Sequence, residues 1–233
     1  LEPIVQLREV ALALATDPER SVRFDLPEFS VAPGEAVALT GPSGCGKSTL
    51  LNLIAGLRRP DAGHLRVAGR DLDSLTPAAL DRHRGSHCGL VFQSFHLLAP
   101  FTALENVAIG LRFGTRLTRG ARQIAADALC RVGLSHRLHS RPAQLSVGER
   151  QRVAIARAIA GSPRLLLADE PTGALDQGTG REIIDLLREV SSEGGRTLLM
   201  VTHDPALAAG LPRVFNCSGL VKTHMREKGA VIA

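Results

Sequence analysis

The sequence predicts an α/β fold built around a mostly parallel sheet, and three observations carry that prediction. Short apolar runs without polar alternation, at residues 36–40, 165–168 and 197–202, have the length and composition of strands buried on both faces. Segments of helical periodicity separate the later runs, as crossover connections between parallel strands require. A glycine-rich loop, Gly41-Pro42-Ser43-Gly44-Cys45-Gly46-Lys47-Ser48, joins the first run to a helical segment.

Taken in order, residues 4–14 and 21–31 read as extended segments on either side of a polar break at Thr16-Asp17-Pro18, and Pro33-Gly34 marks a turn. The strand at 36–40 follows, then the glycine-rich loop and a helix over about 47–57. Residues 94–161 are mostly helical in pattern, with breaks at Pro100, Gly114, Gly120 and Pro142. Within them, 119–132 and 148–160 are amphipathic helices, the second closed by Gly161 and Pro163. Beyond lie the strand at 165–168, a helix over 179–191 ended by Gly194-Gly195, and the strand at 197–202. The helical middle reads as an insertion between two pieces of one α/β core, and no internal repeat is visible.

A chain of 233 residues, 44% hydrophobic and 22% charged, can bury a sizeable core. With 3% aromatics and neither Trp nor Tyr, that core must be aliphatic. The net charge of +5 is scattered, and its densest run, Arg112, Arg116, Arg119 and Arg122, reads as a solvated face. No aromatic residues interleave with it, so nucleic acid is not an expected partner. Cys45, Cys88, Cys130 and Cys217 form no C-x-x-C pair and have no zinc-ligand spacing, which points to a reduced compartment. No stretch approaches the roughly 18 consecutive apolar residues of a membrane span, and no secretory signal pattern is visible.

The loop at 41–48 fits G-x-x-x-x-G-K-[ST] without a gap. Its glycines let successive N–H groups curl toward phosphate oxygens, and the helix that follows presents its N-terminus to the same anion. Lys47 is then placed for the β- and γ-phosphates and the Ser48 hydroxyl for Mg²⁺. The strand at 165–168 runs into Asp169-Glu170, two acids at the carboxyl end of a buried strand, where open α/β sheets bind ligands. Asp169 is placed to hold Mg²⁺ and Glu170 to polarise an attacking water. His203 ends the next strand, and alone it reads as structural. Ser146 and Glu149 form a capping box at a helix start, whose free N–H groups also suit an anion.

The stretch Leu145-Ser146-Val147-Gly148-Glu149-Arg150-Gln151-Arg152-Val153-Ala154-Ile155-Ala156-Arg157-Ala158 resembles the signature motif of ABC-type ATPases, and the resemblance covers nearly the whole chain. Residues 41–49, ending in Thr49, resemble the Walker A loop of that family, and 165–170 its Walker B strand. Gln93, after Leu90-Val91-Phe92, matches the Q-loop glutamine; Ala174-Leu175-Asp176 matches the D-loop, and His203 the switch histidine. The resemblance implies a P-loop NTPase core with a mostly parallel sheet, an N-terminal antiparallel β subdomain and an inserted α-helical subdomain. All belong to one domain over 1–233, with 1–92 and 162–233 as the α/β core with its β subdomain and 93–161 as the helical subdomain. It implies ATP and Mg²⁺ as ligands, Glu170, His203 and Gln93 as the catalytic set, and Ser48, Gln93 and Asp169 on the metal. It implies two subunits head to tail, as a homodimer or a heterodimer, with Ser146, Gly148 and Asp176 near nucleotide shared between them. Separate transmembrane permease subunits would hold the pair at the cytoplasmic face of the cell membrane.

A narrower likeness, in Val91-Phe92-Gln93-Ser94-Phe95-His96-Leu97-Leu98, Leu104-Glu105-Asn106-Val107 and residues 169–176, is to the lipoprotein-release and macrolide-export subgroup, which pulls or extrudes substrates. Two positions depart from the family pattern. Val147 stands where the signature has the first of two glycines, and the family's adenine-stacking aromatic falls near Leu14, an aliphatic residue. A regulatory module with little turnover stands as the alternative, favoured by Val147, while Glu170 and His203 favour an ATPase. A chromosome-type ATPase is disfavoured because the interval between Lys47 and Asp169 holds no sustained heptads. Phe92, Phe95, His96, Leu97, Leu98 and Phe101 form an apolar cluster read equally well as core or as a docking surface for a partner.

Overall fold

The structure, a computed structural model, describes residues 2–16, 20–115 and 120–225. Asp17 and Pro18 of the expected break, and Arg116 and Arg119 of the basic run, lie outside the described residues. Two five-stranded sheets carry the fold. In the parallel sheet, β3 (Ala36–Thr40), β6 (Cys88–Phe92), β7 (Leu165–Asp169), β8 (Thr197–Val201) and β9 (Arg213–Asn216) lie in the order β6-β7-β8-β3-β9. In the antiparallel sheet, β1 (Val5–Thr16), β2 (Arg20–Val31), β4 (Ala62–Val67), β5 (Arg70–Asp71) and β10 (Val221–Met225) lie in the order β10-β2-β1-β4-β5.

The central strands read as unbroken apolar runs because both of their faces are covered. Leu165 and Leu167 of β7 enter one apolar cluster, together with α1 (Lys47–Ile54) and the antiparallel sheet. Leu166 and Ala168, the alternate residues, enter a second cluster against α3 (Ala103–Thr115), α4 (Ala121–Arg131), α5 (Val147–Ile159) and α6 (Gln177–Glu193). β8 divides the same way, Leu199 and Val201 to the first cluster, Leu198 and Met200 to the second. The end of β7 is therefore clamped from both sides.

The helix expected over 47–57 stops at Ile54. Gly56 turns left-handed at φ 65°, and Leu57 and Gly56 donate to the carbonyls of Asn52 and Leu53 at 2.8 and 2.9 Å, the paired bonds that close a helix end. The helical middle starts at Ala103, later than its pattern suggests. Before it, Phe95 and His96 adopt φ of 59° and 48° and Arg157 donates to both of their carbonyls at 2.6 Å, a tertiary contact that stops residues 93–102 from becoming helix. The apolar cluster there divides: Leu97 packs on the second core, whereas Leu98 and Phe101 are 43% and 38% exposed. Strands β4, β5, β9 and β10 and helix α2 (Pro77–His87) carry no clear periodicity. Leu80 is the one buried side chain of α2, and β9 alternates half-buried with exposed residues at a sheet edge.

Asn106 of α3 is fully buried and holds the loop before that helix. Its Oδ1 accepts from the Leu98 N–H at 2.7 Å, and its Nδ2 lies 3.0–3.2 Å from the carbonyls of Leu98, Phe101 and Thr102. Asn106→Leu strips these groups of partners and is expected to destabilise the fold by roughly 2–4 kcal/mol, read as a lower urea midpoint at unchanged m-value. A midpoint equal to the parent's would show that the loop finds other partners.

Candidate active site

The carboxyl ends of β3, β7 and β8 open on a cavity of about 780 Å³ lined by Gly41, Pro42, Ser43, Lys47, Glu170 and His203, among others. The glycine-rich loop forms its floor. Gly46 stands at φ 104°, and a Cβ there would meet two Phe24 ring carbons at 2.9 Å and a Val221 methyl at 3.2 Å. Both the backbone angle and the neighbouring sheet therefore demand glycine. Lys47 is 7% exposed, and its Nζ donates to the carbonyl oxygens of Gly41 at 2.8 Å and Pro42 at 3.0 Å, so the ammonium lies folded inside the loop. Cys45 is also buried, with its sulfur 4.0 Å from that nitrogen, and Gly44 and Thr49 complete the loop and the first turn of α1.

Two carboxylates meet this loop from the end of β7. The Ser48 hydroxyl donates to Asp169 Oδ1 at 3.1 Å. Burial pushes the Asp169 carboxyl above its ordinary range; the Ser48 hydrogen bond opposes that, Glu170 adds to it and Lys47 opposes it. Glu170 adopts φ 46°, which costs on the order of 1 kcal/mol for a side-chain-bearing residue. Its N–H still donates to Val201 O at 3.2 Å, so the strand pairing persists while the chain turns. Glu170 Oε2 lies 3.6 Å from His203 Nδ1, a pairing that raises His203 above the structural reading it earned alone.

Gln93 follows β6, whose Phe92 pairs with Asp169. Its amide lies over Gly173, where a Cβ would come within 2.5 Å of Nε2, so it sits beside the turn after Glu170 and outside the lining of the large cavity. Asp176 caps α6 by accepting from the Thr179 N–H at 3.0 Å, a bond that holds its carboxyl below the usual range. Together with His203 it lines a second hollow of about 470 Å³. Ser146 and Glu149 form the expected capping box, with bonds of 3.1 and 2.8 Å. Gly148 lies against Thr179, and neither it nor Ser146 lines the cavity that holds Lys47. Val147 is 37% exposed at the first position of α5, and Leu14 packs partly buried on the first core.

Thr202, Asp204 and Val214 also line the main cavity, and no functional motif marks them. Asp204 was the legible one: Asp-Pro at a helix start is a cap signal, and its carboxylate accepts from the Ala206 and Leu207 N–H groups of α7 (Pro205–Ala209). Thr202 and Val214 reach the cavity by sheet order alone.

As a chemical arrangement, a cation and a curled backbone suited to polyphosphate face an oxygen pair suited to a hard cation, with a carboxylate–imidazole pair alongside. Because its folded-state pKa is raised, Asp169 lowers stability where it is ionised, and the penalty fades as pH falls through its folded pKa. Asp169→Asn is therefore expected to raise the thermal midpoint near pH 7, with the gap to the parent closing in acid. A midpoint lowered by the substitution would show that the Ser48 bond outweighs burial.

The family described as ABC transporter matches residues 24–173. The chain is 44% identical over 216 residues to the lipoprotein-releasing system ATP-binding protein LolD of Pseudomonas syringae pv. tomato, covering 93% of this chain and 95% of that protein. It is 46% identical over 186 residues to the macrolide export ATP-binding/permease protein MacB of Chromobacterium violaceum, covering 80% of this chain and 29% of that one. Among solved structures, the dimeric post-hydrolysis state of the ATP-binding cassette MJ0796, bound to ADP and Pi, superposes with a TM-score of 0.80 at 37% identity, covering 91% of this chain and 93% of that one. The family match spans more than half of the chain, and the relatives and the solved cassette align over most of it; the chain belongs to the ABC transporter family as an ATP-binding cassette.

Proposed function

We propose that this chain hydrolyses ATP with Mg²⁺ to drive a separate membrane permease, exporting or extracting its substrate. The observation that carries the reading is the cavity in which Lys47, Glu170 and His203 meet, next in sequence to the hydrogen-bonded Ser48–Asp169 pair. Release of lipoproteins and export of macrolides are the processes that the similar LolD and MacB proteins are named for, and they support the export or extraction part of the reading. The subdomain division expected from sequence, with 93–161 as the helical part of one domain, belongs to this proposal.

In this reading the phosphates draw the Lys47 ammonium away from the Gly41 and Pro42 carbonyls, and the loop N–H groups take up the remaining charge. The oxygens of Ser48 and Asp169 would hold Mg²⁺, which supplies charge neutralisation on the β- and γ-phosphates. An adjacent cation also relieves a carboxylate whose burial disfavours ionisation, so the residues present fit the ion. Glu170 orients the attacking water and takes its proton, and His203, held near Glu170 Oε2, reaches the γ-phosphate. Gln93, beside the turn after Glu170, would join Ser48 and Asp169 in holding the metal and tie it to the loop that follows β6. Ser146 and Gly148 contact nucleotide bound by the Lys47 loop of a second copy, in keeping with their absence from this chain's own cavity. ATP closes that dimer and its loss opens it, and the motion works the permease.

A regulatory module with little turnover is the second reading, favoured by Val147: its side chain stands exposed where close backbone approach to nucleotide calls for glycine.

The purified chain is expected to hydrolyse ATP only with Mg²⁺, and Glu170→Gln to lower kcat by at least about 100-fold while an ATP-stabilised dimer persists on size exclusion. Tight ATP binding without turnover in the parent, restored by Val147→Gly, moves the regulatory reading ahead. Complete alkylation of Cys45 with a bulky maleimide is expected to abolish ATP binding, and unchanged affinity would remove Cys45 from the phosphate loop's working surface.

A further inference from the structure

Gln151 is fully buried one and a half turns into α5 from Ser146. It has no place in the steps above, and burying an amide there is costly unless it bonds something. Its Nε2 donates to Pro171 O at 2.8 Å, and its Oε1 has no partner among the described residues, so that single bond fixes the amide.

The bond falls at a sensitive point. The Gly173 N–H donates to Glu170 O at 3.1 Å, which makes Glu170, Pro171, Thr172 and Gly173 a β-turn with proline at its second position. In such a turn the peptide between the second and third residues can face either way, and the two orientations define different turn types. The carbonyl of that peptide is the Pro171 oxygen. Glu170, at the first position, is already in a left-handed conformation that the turn must sustain. Gln93 also packs on the turn, at Gly173.

We infer that Gln151 is a positioning residue for Glu170: its amide pins the central peptide of the 170–173 turn, and through it ties the carboxylate to the helix that begins at Ser146. The inference rests on the proposed role of Glu170. It adds that α5 carries information about nucleotide at its N-terminus into the water-activating site of its own chain. Arg157, on the same helix, grips the Phe95 and His96 carbonyls, so α5 holds the loop after Gln93 as well as the turn after Glu170.

The test uses Gln151→Met, close in size and unable to donate. Hydrogen exchange at the Gly173 amide is expected to quicken at least about tenfold, and kcat to fall at least about tenfold with KM for ATP within about twofold. In a Glu170→Gln background, single-turnover hydrolysis is expected to change by less than about twofold on adding Gln151→Met, because the carboxylate through which Gln151 acts is gone. Equal losses of rate in both backgrounds would assign Gln151 to general packing, and unchanged Gly173 exchange would overturn the pinning whatever the rates. A parent chain without turnover would sink the ATPase reading alone, since the exchange measurement needs no hydrolysis.

Discussion

The missing side chain at Gly46 is the constraint on which the rest of the structure depends. The glycine-rich loop follows a strand of the parallel sheet, yet the atoms a side chain at Gly46 would strike, in Phe24 of β2 and Val221 of β10, belong to the antiparallel one. The two sheets approach each other where the backbone is barest. That contact seats α1 against β7 and β8 and draws the loop into the curl in which Lys47 reaches the Gly41 and Pro42 carbonyls. A methyl group at Gly46 would push against an aromatic ring inside the core, so the shape of the glycine-rich loop and the packing of the fold are one problem with one solution.

The second half of the site depends on how firmly β7 is held. Its side chains alternate between two cores, leaving the strand no face on which to yield. Such a strand can end in unfavourable groups: Asp169 with its ionisation disfavoured by burial, then Glu170 in a left-handed conformation. Neither is stable by local preference. Both persist because packing over-determines the backbone beneath them, the circumstance in which strain gathers at functional sites.

Helix α5 is the third element of the design. Its N-terminus is capped by Ser146 and Glu149, and the Arg137 side chain holds the same glutamate at 2.9 Å, so the helix start is rigid before any ligand arrives. Its buried face packs into the second core, and its polar side chains grip turns at the ends of β6 and β7. In the proposed function this capped helix start meets nucleotide on a second copy, and its bracing against the carboxylate turn gives that contact a route into its own chain.

The sequence by itself determined the local chemistry and much of the architecture. Unbroken apolar runs announced the three central strands, Gly41 to Ser48 announced a glycine-rich loop before a helix, and Ser146 with Glu149 announced a capped helix, because each is a property of a few adjacent residues. Strands β9 and β10 were not legible, since β3 and β2, distant in sequence, hold them in place; β5 is two residues long and α2 buries one side chain, too little for a periodicity. Tertiary structure alone decided that Ser48 meets Asp169, that His203 stands beside Glu170, and that Gln93 lies over Gly173 outside the main cavity. Those contacts join residues far apart along the chain. Their geometry follows from the strand order β6-β7-β8-β3-β9, which depends on how whole strands and helices pack and is written in no single segment.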